Sequence, residues 1–311
     1  MFVSEGLVEQ HIHGCFGIDF MSCTKDEMLD AAKGLAKCGV TAFFPAVMTD
    51  ELSKIKERIA VIKSAAAVKC TNAAEIAGIY LEGPFINPDK AGIHEKKHIQ
   101  PLDTGIFKEI EDEIIKIAVI APELDKKGKF AKYLKSKNIK VSAGHTLAVD
   151  LKGTEQVTHL YNAMGALHHR NPSTAVSALL NDNIYAELIA DSKHVSDEVL
   201  KLTFKFKPLD KIFLISDALP MAHSALLQQQ FAGQMIYNKN GSLVSADGTL
   251  AGSSMLLCDI VKNLADKKIL TLKEAVKAAS FNQLKHHKLQ NRLRVCWEKN
   301  TAVCSEFIKV N

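Results

Sequence analysis

Long apolar runs are missing from this sequence. No stretch approaches the roughly 20 consecutive apolar residues that a helix needs to cross a bilayer, so no membrane association is expected. The opening segment MFVSEGLVEQHIHG also lacks the charged leader and apolar stretch of a targeting peptide, and nothing is expected to anchor the chain. Aromatic residues are scarce at 6%, which leaves the interior to Val, Ile, Leu and Ala. The seven cysteines are odd in number, irregularly spaced and without a CxxC pair, which excludes a disulfide framework or a thiolate zinc site. The reducing cytoplasm is therefore the expected compartment. Neither sign of charge dominates, since 39 Lys and Arg stand against 35 Asp and Glu with both signs scattered. That excludes the basic face or tail of a nucleic-acid binder and makes small molecules the expected partners.

Against these absences stands a regular alternation. Short apolar runs rich in β-branched residues alternate with longer segments of helical periodicity, the pattern of a parallel sheet with crossover helices. Eight candidate strands cover residues 7–13, 40–46, 76–82, 114–120, 139–145, 155–161, 185–191 and 212–218. Helices are expected from KDEMLDAAKGLAKCG, ELSKIKERIAVIKSAAA, PELDKKGKFAKYLKSK, SDEVLKLTFKFK, MLLCDIVKNLADK and LKEAVKAASFNQLKHH. Ser196 reads as the N-cap of the fourth, and Gly39 follows the end of the first. The expected fold class is α/β, a (β/α)₈ TIM-type barrel over residues 1–288. An excursion is expected at about 224–250, where Asn240 and Gly241 mark a hairpin turn. A poorly patterned tail, 289–311, follows.

Residues with chemical capacity fall at the C-terminal ends of these strands. His11 and His13 end the first, Glu82 the third and His145 the fifth, while His159 lies near the end of the sixth and Asp217 near the end of the eighth. In a parallel barrel those ends share one face, the face on which active sites are built. An open doubly wound sheet would not gather the first, third, fifth, sixth and eighth. A metal that activates water needs imidazole and carboxylate ligands around an open position, and Glu82, His145 and His159 supply such a set. His11 and His13, two residues apart, share one side of their strand and make a second metal position possible. Each His alone is most simply a satisfied polar residue, and Asp217 alone a helix N-cap. Their convergence on one rim favours a ligand set and a proton-transfer group.

Several segments resemble the N-acetylglucosamine-6-phosphate deacetylases of the amidohydrolase superfamily. HIHGCFGIDF is similar to the family's HxHG opening, and GIYLEGPFINPDKAGIHEKKHI to its LEGPF segment with a downstream Gly-x-His. SAGHT, THLYNAMGALHHRNP, ELIADSKHV, LISDAL and DGTLAGSSM follow in the family's order. The resemblance implies a metal-dependent hydrolase that removes the acetyl group of N-acetylglucosamine 6-phosphate in amino-sugar catabolism. It implies one or two divalent ions, zinc or iron, held by Glu82, His145 and His159 with His11 and His13 completing a second site. Asp217 becomes the catalytic base and acid, and His94 polarises the acetyl carbonyl. His194 holds a sugar hydroxyl, and Arg170 with the Asn162 and Ala163 backbone receives the phosphate. A homodimer is also implied, the neighbouring chain helping to enclose the phosphate.

The pattern departs from the family in places. Members carry a small β-sandwich built from about fifty residues before the barrel together with the chain's end; here the barrel begins almost at once, and the tail reads as a remnant in which Trp297, Val303, Phe307 and Ile308 need something to pack on. Glu9 replaces an Asp before the HxH pair, and Pro220-Met221-Ala222-His223 replaces a loop of small residues. Two other readings stay open: another amidohydrolase of cyclic-amidase type, and a degenerate barrel that binds sugar phosphate without turnover.

Overall fold

Residues 2–307 are described by the computed structural model of the chain. Eight parallel strands form the centre: Leu7–Ile12, Val40–Met48, Ile79–Glu82, Ile115–Ile120, Lys140–Ala143, Gln156–Val157, Tyr185–Ile189 and Ile212–Ile215. Each pairs with the next in chain order. The ring closes between first and eighth just beyond the strand ends, where Asp217 N–H donates to the His11 carbonyl and His13 N–H to the Ala218 carbonyl, both at 2.9 Å. All eight strands expected from the sequence are present, because both faces of such strands are buried and their apolar runs are nearly continuous.

The two faces bury different things. Outward residues join the helices in one large apolar core that includes Val40, Val47, Leu81, Val141, Leu188 and Leu214. Inside the barrel, Val8, Phe44, Ala46, Tyr80, Ile117 and Val119 form a separate cluster near the N-terminal end. Above it the lining turns polar with Ser142, Gln156, Thr158 and Glu187, all fully buried.

The outer helices begin where local chemistry supplies a cap. Thr24 and Glu27 form a reciprocal capping box on Lys25–Lys37, and the Ser196 hydroxyl accepts from Val199 N–H to start Asp197–Phe206. The segment from Pro122 divides into a 3₁₀ turn, Pro122–Leu124, and a helix, Lys129–Ser136, because Gly128 adopts φ +62° between them. Two short helices, Thr104–Ile110 and Thr174–Leu180, were not legible, being only two turns long each. The excursion is a four-stranded antiparallel sheet, Gln228–Phe231, Gln234–Lys239, Ser242–Val244 and Leu250–Ser253. Asn240 and Gly241, at φ 54° and 83°, make its predicted tight turn.

The tail is more ordered than its sequence suggests. Strands Leu293–Glu298 and Thr301–Phe307 pair with Phe2–Glu5 in a three-stranded antiparallel sheet. Phe2–Glu5 lies within the span read as barrel, yet it belongs to this sheet. Leu293, Val295 and Trp297 alternate with more exposed neighbours and enter the main core, so the barrel itself covers the buried face. The Trp297 ring N–H donates to Ser4 Oγ at 2.8 Å. Gly6 lets the chain pass from this sheet into the barrel, since a Cβ there would meet Thr41 Cβ at 2.6 Å and Leu293 Cβ at 2.9 Å. The side chains of Val303 and Phe307, and all of Ile308, lie outside the described residues. Trp297→Ala is expected to cost about 3–5 kcal/mol in denaturant unfolding of the metal-loaded protein. A loss under about 1 kcal/mol would show that the small sheet is not coupled to the barrel core.

Candidate active site

Four of the candidate residues sit where the chain bends sharply off a strand or ends one. Glu82 is the last residue of the third strand, whereas His145, His159 and Asp217 each lie two residues beyond theirs. Those three have left-handed backbones, φ 48°, 31° and 50°, which swing the side chains back over the barrel mouth. Such conformations are unfavourable for residues with a Cβ and persist where the surroundings fix them. The first strand loses its register with the second between Glu9 and Ile12, and this irregularity lets Gln10 and His11 both reach Glu187.

The side chains meet closely. Glu82 Oε1 lies 3.2 Å from both His145 Nε2 and His159 Nε2, which are 3.0 Å apart. His11 Nε2 is 3.4 Å from Glu82 Oε1, and His13 Nε2 is 3.3 Å from Glu82 Oε2. Asp217 Oδ1 stands 3.0 Å from His13 Nε2 and 3.5 Å from His11 Nε2. His94 completes the ring with Nε2 3.5 Å from Glu82 Oε2. Two groups with the spacing of ligands result, one of His11, His13 and Asp217, the other of Glu82, His94 and His145.

The donor set suits a divalent cation. Ligand atoms about 2.0 Å from a tetrahedral ion lie about 3.3 Å from one another, the spacing seen here. Imidazole nitrogens that face each other cannot all be satisfied by one another's protons, whereas a cation accepts every lone pair. The far nitrogens of two are spoken for: His145 Nδ1 donates to the Lys90 carbonyl at 2.7 Å, and His11 Nδ1 lies 3.3 Å from Glu187 Oε2. That leaves Nε2 of each as the ligand atom.

Electrostatics lead to the same conclusion. Burial opposes ionisation of Glu82, but His11, His13 and His145 outweigh it and hold its carboxyl well below the usual range. Burial likewise opposes a charged His11 or His13, yet the carboxylates raise both, His13 to about 9. Burial beside His94 pushes His145 down to about 4. The carboxylates thus demand positive charge, which a bound cation supplies with the imidazoles neutral.

Glu187 was missed from the sequence, where it reads as one polar residue in the strand YAELIAD. Fully buried in the barrel, it accepts from Gln10 Nε2 at 2.5 Å, Gln156 Nε2 at 3.0 Å and the Tyr80 hydroxyl at 2.9 Å, and it faces His11 Nδ1. It positions His11. Glu9 is not a ligand: its Oε1 accepts from the N–H groups of His11 and Ser216, tying the first strand to the eighth, and burial raises its carboxyl to about 7.

A cavity of 350 Å³ opens over the cluster, with His94, His194, Asn162 and Ala163 on its walls and Thr249 to Ala251 of the excursion along one side. Asp191 fixes His194 through a 2.8 Å contact to Nδ1. The Asn162 N–H is already donated to the His159 carbonyl at 2.9 Å, so of that backbone pair Ala163 N–H is the one left for a ligand. Arg170 is not in the cavity. Beyond Met164 the chain turns outward and residues 166–172 are exposed; the cation on the wall is Lys90.

A closed parallel barrel with His, Glu and Asp converging on its C-terminal rim defines a metal-dependent hydrolase of the amidohydrolase class, and the cluster fits divalent metal binding. No protein-family model matches the chain. It is similar to the N-acetylglucosamine-6-phosphate deacetylase of Bacillus subtilis, 33% identical over 84% of this chain and 69% of that protein. The N-acetylgalactosamine-6-phosphate deacetylase of Escherichia coli O157:H7 is 28% identical over 88% and 75%. The crystal structure of N-acetylglucosamine-6-phosphate deacetylase from Thermotoga maritima superposes with a TM-score of 0.89 at 28% identity, over 98% of this chain and 87% of that one. The chain belongs to the N-acetylglucosamine-6-phosphate deacetylase family.

The buried Asp191–His194 pair gives a pH signature. Burial opposes both charges, but the mutual hydrogen bond and attraction lower Asp191 and raise His194. The raised His194 stabilises fully below its unfolded pKa of about 6.5 and ceases to do so as pH rises through its folded value. The lowered Asp191 stabilises above its unfolded pKa of about 3.9 and loses that as pH falls through its folded value. Asp191→Asn should therefore cost about 1.5–3 kcal/mol near pH 6 and less at pH 9, measured by urea unfolding at both. An equal loss at both would mean that His194 carries no charge in the pair.

Proposed function

We propose that the chain hydrolyses the acetamide of N-acetylglucosamine 6-phosphate to glucosamine 6-phosphate and acetate. The observation that carries this reading is the placement of Asp217, its carboxylate on the cavity wall and 3.0 Å from a candidate ligand nitrogen, His13 Nε2. Glu82, His145 and His159 hold the principal ion, zinc or iron, and His11 and His13 a second. A divalent cation at this position acidifies water and polarises a carbonyl oxygen.

The chain's own residues supply the rest. Burial opposes a charged Asp217, but without metal His11 and His13 keep its carboxyl below the ordinary range, and a bound cation would supply the same positive charge, leaving Asp217 ionised and ready to accept a proton from the attacking water. The same Oδ atoms then return the proton to the departing amine. His94, whose Nδ1 lies 2.9 Å from the Thr49 hydroxyl, presents Nε2 to the acetyl oxygen. His194, held by Asp191, takes a sugar hydroxyl. The phosphate meets Ala163 N–H and Lys90, and the exposed Arg170 serves the neighbouring chain's cavity in a homodimer. The barrel expected over residues 1–288 acts as one unit apart from Phe2–Glu5, which works with the small β remnant at 289–311, in a protein that works in the cytoplasm.

The test is acetate release by the metal-loaded protein from N-acetylglucosamine 6-phosphate and from its galactosamine epimer, since relatives of both names exist. The gluco substrate is expected to be turned over faster, chelation to abolish release, and zinc or iron to restore it. Asp217→Asn should retain metal and KM while kcat falls about 10²- to 10⁴-fold. Wild-type turnover in that variant would remove Asp217 from the mechanism, and no release from either sugar would overturn the reading.

A further inference from the structure

The opposite end of the barrel holds a second cavity that the proposed reaction does not use. It measures 560 Å³, against 350 Å³ for the one over the cation cluster. Its wall is built at the N-terminal ends of the barrel strands: Lys116 comes from the start of the fourth, Lys140 from the start of the fifth, and Glu155 immediately precedes the sixth. The last helix, Asn282–His287, closes another side with His286, His287 and its left-handed C-cap Lys288, at φ 56°. Lys135, from helix Lys129–Ser136, adds a fourth ammonium group.

The charges on this wall do not balance. Among the described residues Glu155 is its only acid, and it shares the wall with four lysines. Lys140 Nζ lies 3.8 Å from Glu155 Oε2 and Lys135 Nζ 3.9 Å from Oε1, both too long for hydrogen bonds, while Lys116 Nζ donates to the Glu113 carbonyl at 2.8 Å. Three positive charges are left over, and a helix C-terminus offsets only about half of one. Gln10 holds His287 in place, its Oε1 accepting from the ring Nε2 at 2.6 Å, whereas the buried Nε2 of His286 has no partner. The shifts agree with this layout. Burial holds the Lys140 ammonium below its usual range, with Glu155 opposing the shift and Lys288 adding to it. Burial, then Lys140 and Lys211, bring His286 down to about 3, and burial, His286 and Lys140 hold His287 well below the imidazole range. A wall that keeps protons off its own imidazoles is electropositive. Residues at this end of a barrel ordinarily serve stability, yet like charges gathered in a concavity work against it.

We propose that this cavity binds the phosphate group of a small molecule, with Lys140 and Lys288 as its principal contacts. A phosphate monoester brings close to two negative charges and three acceptor oxygens, so it meets several ammonium groups at once, whereas a carboxylate brings one charge. The volume falls in the range of small-molecule sites, about 300–1,000 Å³. Ala77, Ile139 and Leu289 offer the rest of such a molecule an apolar surface. The site is distinct from the phosphate position proposed beside Ala163 and Lys90, which lies over the C-terminal rim.

The test is lysine footprinting of the metal-loaded full chain. Acetylation by N-hydroxysuccinimidyl acetate is read peptide by peptide by mass spectrometry, with potassium chloride at matched ionic strength as the reference. In about 10 mM inorganic phosphate, labelling of Lys140 and Lys288 should slow about fivefold, while the exposed Lys201 and Lys273 keep their rates. Lys90 reports the other cavity in the same spectra, so the two sites are read apart. AMP is the second probe: equal protection at about a tenfold lower concentration assigns the site to an organic phosphate, and weaker protection assigns it to free phosphate. Glu155→Gln, which removes the lone acid, should tighten phosphate binding about 3- to 10-fold. Labelling of Lys140 and Lys288 that is the same in phosphate, AMP and chloride, or protection confined to Lys90, would overturn the proposal. That comparison uses the unmutated chain, so a poorly folded variant cannot mask the result.

Discussion

The rim of this barrel depends on one buried carboxylate. Glu82 is almost fully enclosed, and a charge so placed is costly unless it is paired. Its two oxygens lie within 3.5 Å of five imidazole nitrogens, those of His11, His13, His94, His145 and His159. Those histidines come from positions 11 to 159 of the sequence and reach Glu82 because a closed parallel ring brings every strand end to one side. A divalent cation at this mouth would offset the carboxylate charge and accept imidazole lone pairs, which is why the fold and the candidate cation site have to be understood together.

The closure of the ring and the construction of the site are the same event. Asp217 and His11 contribute their side chains to the cluster while their backbones form one of the hydrogen bonds that join the eighth strand to the first. Glu9 reinforces that seam from the other side of the strand, and Ser253 of the excursion donates to the Asp217 carbonyl at 2.9 Å. Movement of the excursion is therefore felt at Asp217, the residue proposed to handle the proton.

Much of this was legible in the sequence, and the reason is periodicity. Strands buried on both faces appear as continuous apolar runs, and Glu82, His145, His159 and Asp217 stood out because polar groups ended such runs. Glu187 was hidden for the opposite reason: it sits in the middle of a strand, and only its partners on other strands, Gln10, Tyr80 and Gln156, show that its charge is used. Phe2–Glu5 was hidden because its partner strand lies nearly three hundred residues away, a pairing that no local pattern encodes. Arg170 shows what one chain alone leaves open: the loop that bears its motif faces solvent, outside this chain's own cavity.

We infer that Glu82 anchors a cation at the barrel mouth. Metal content by inductively coupled plasma mass spectrometry tests it most directly, comparing the purified wild-type chain with Glu82→Gln after identical dialysis. The wild type is predicted to retain at least one equivalent of zinc or iron, and the variant about tenfold less or lower. Equal metal in the two proteins, or none in either, would contradict it.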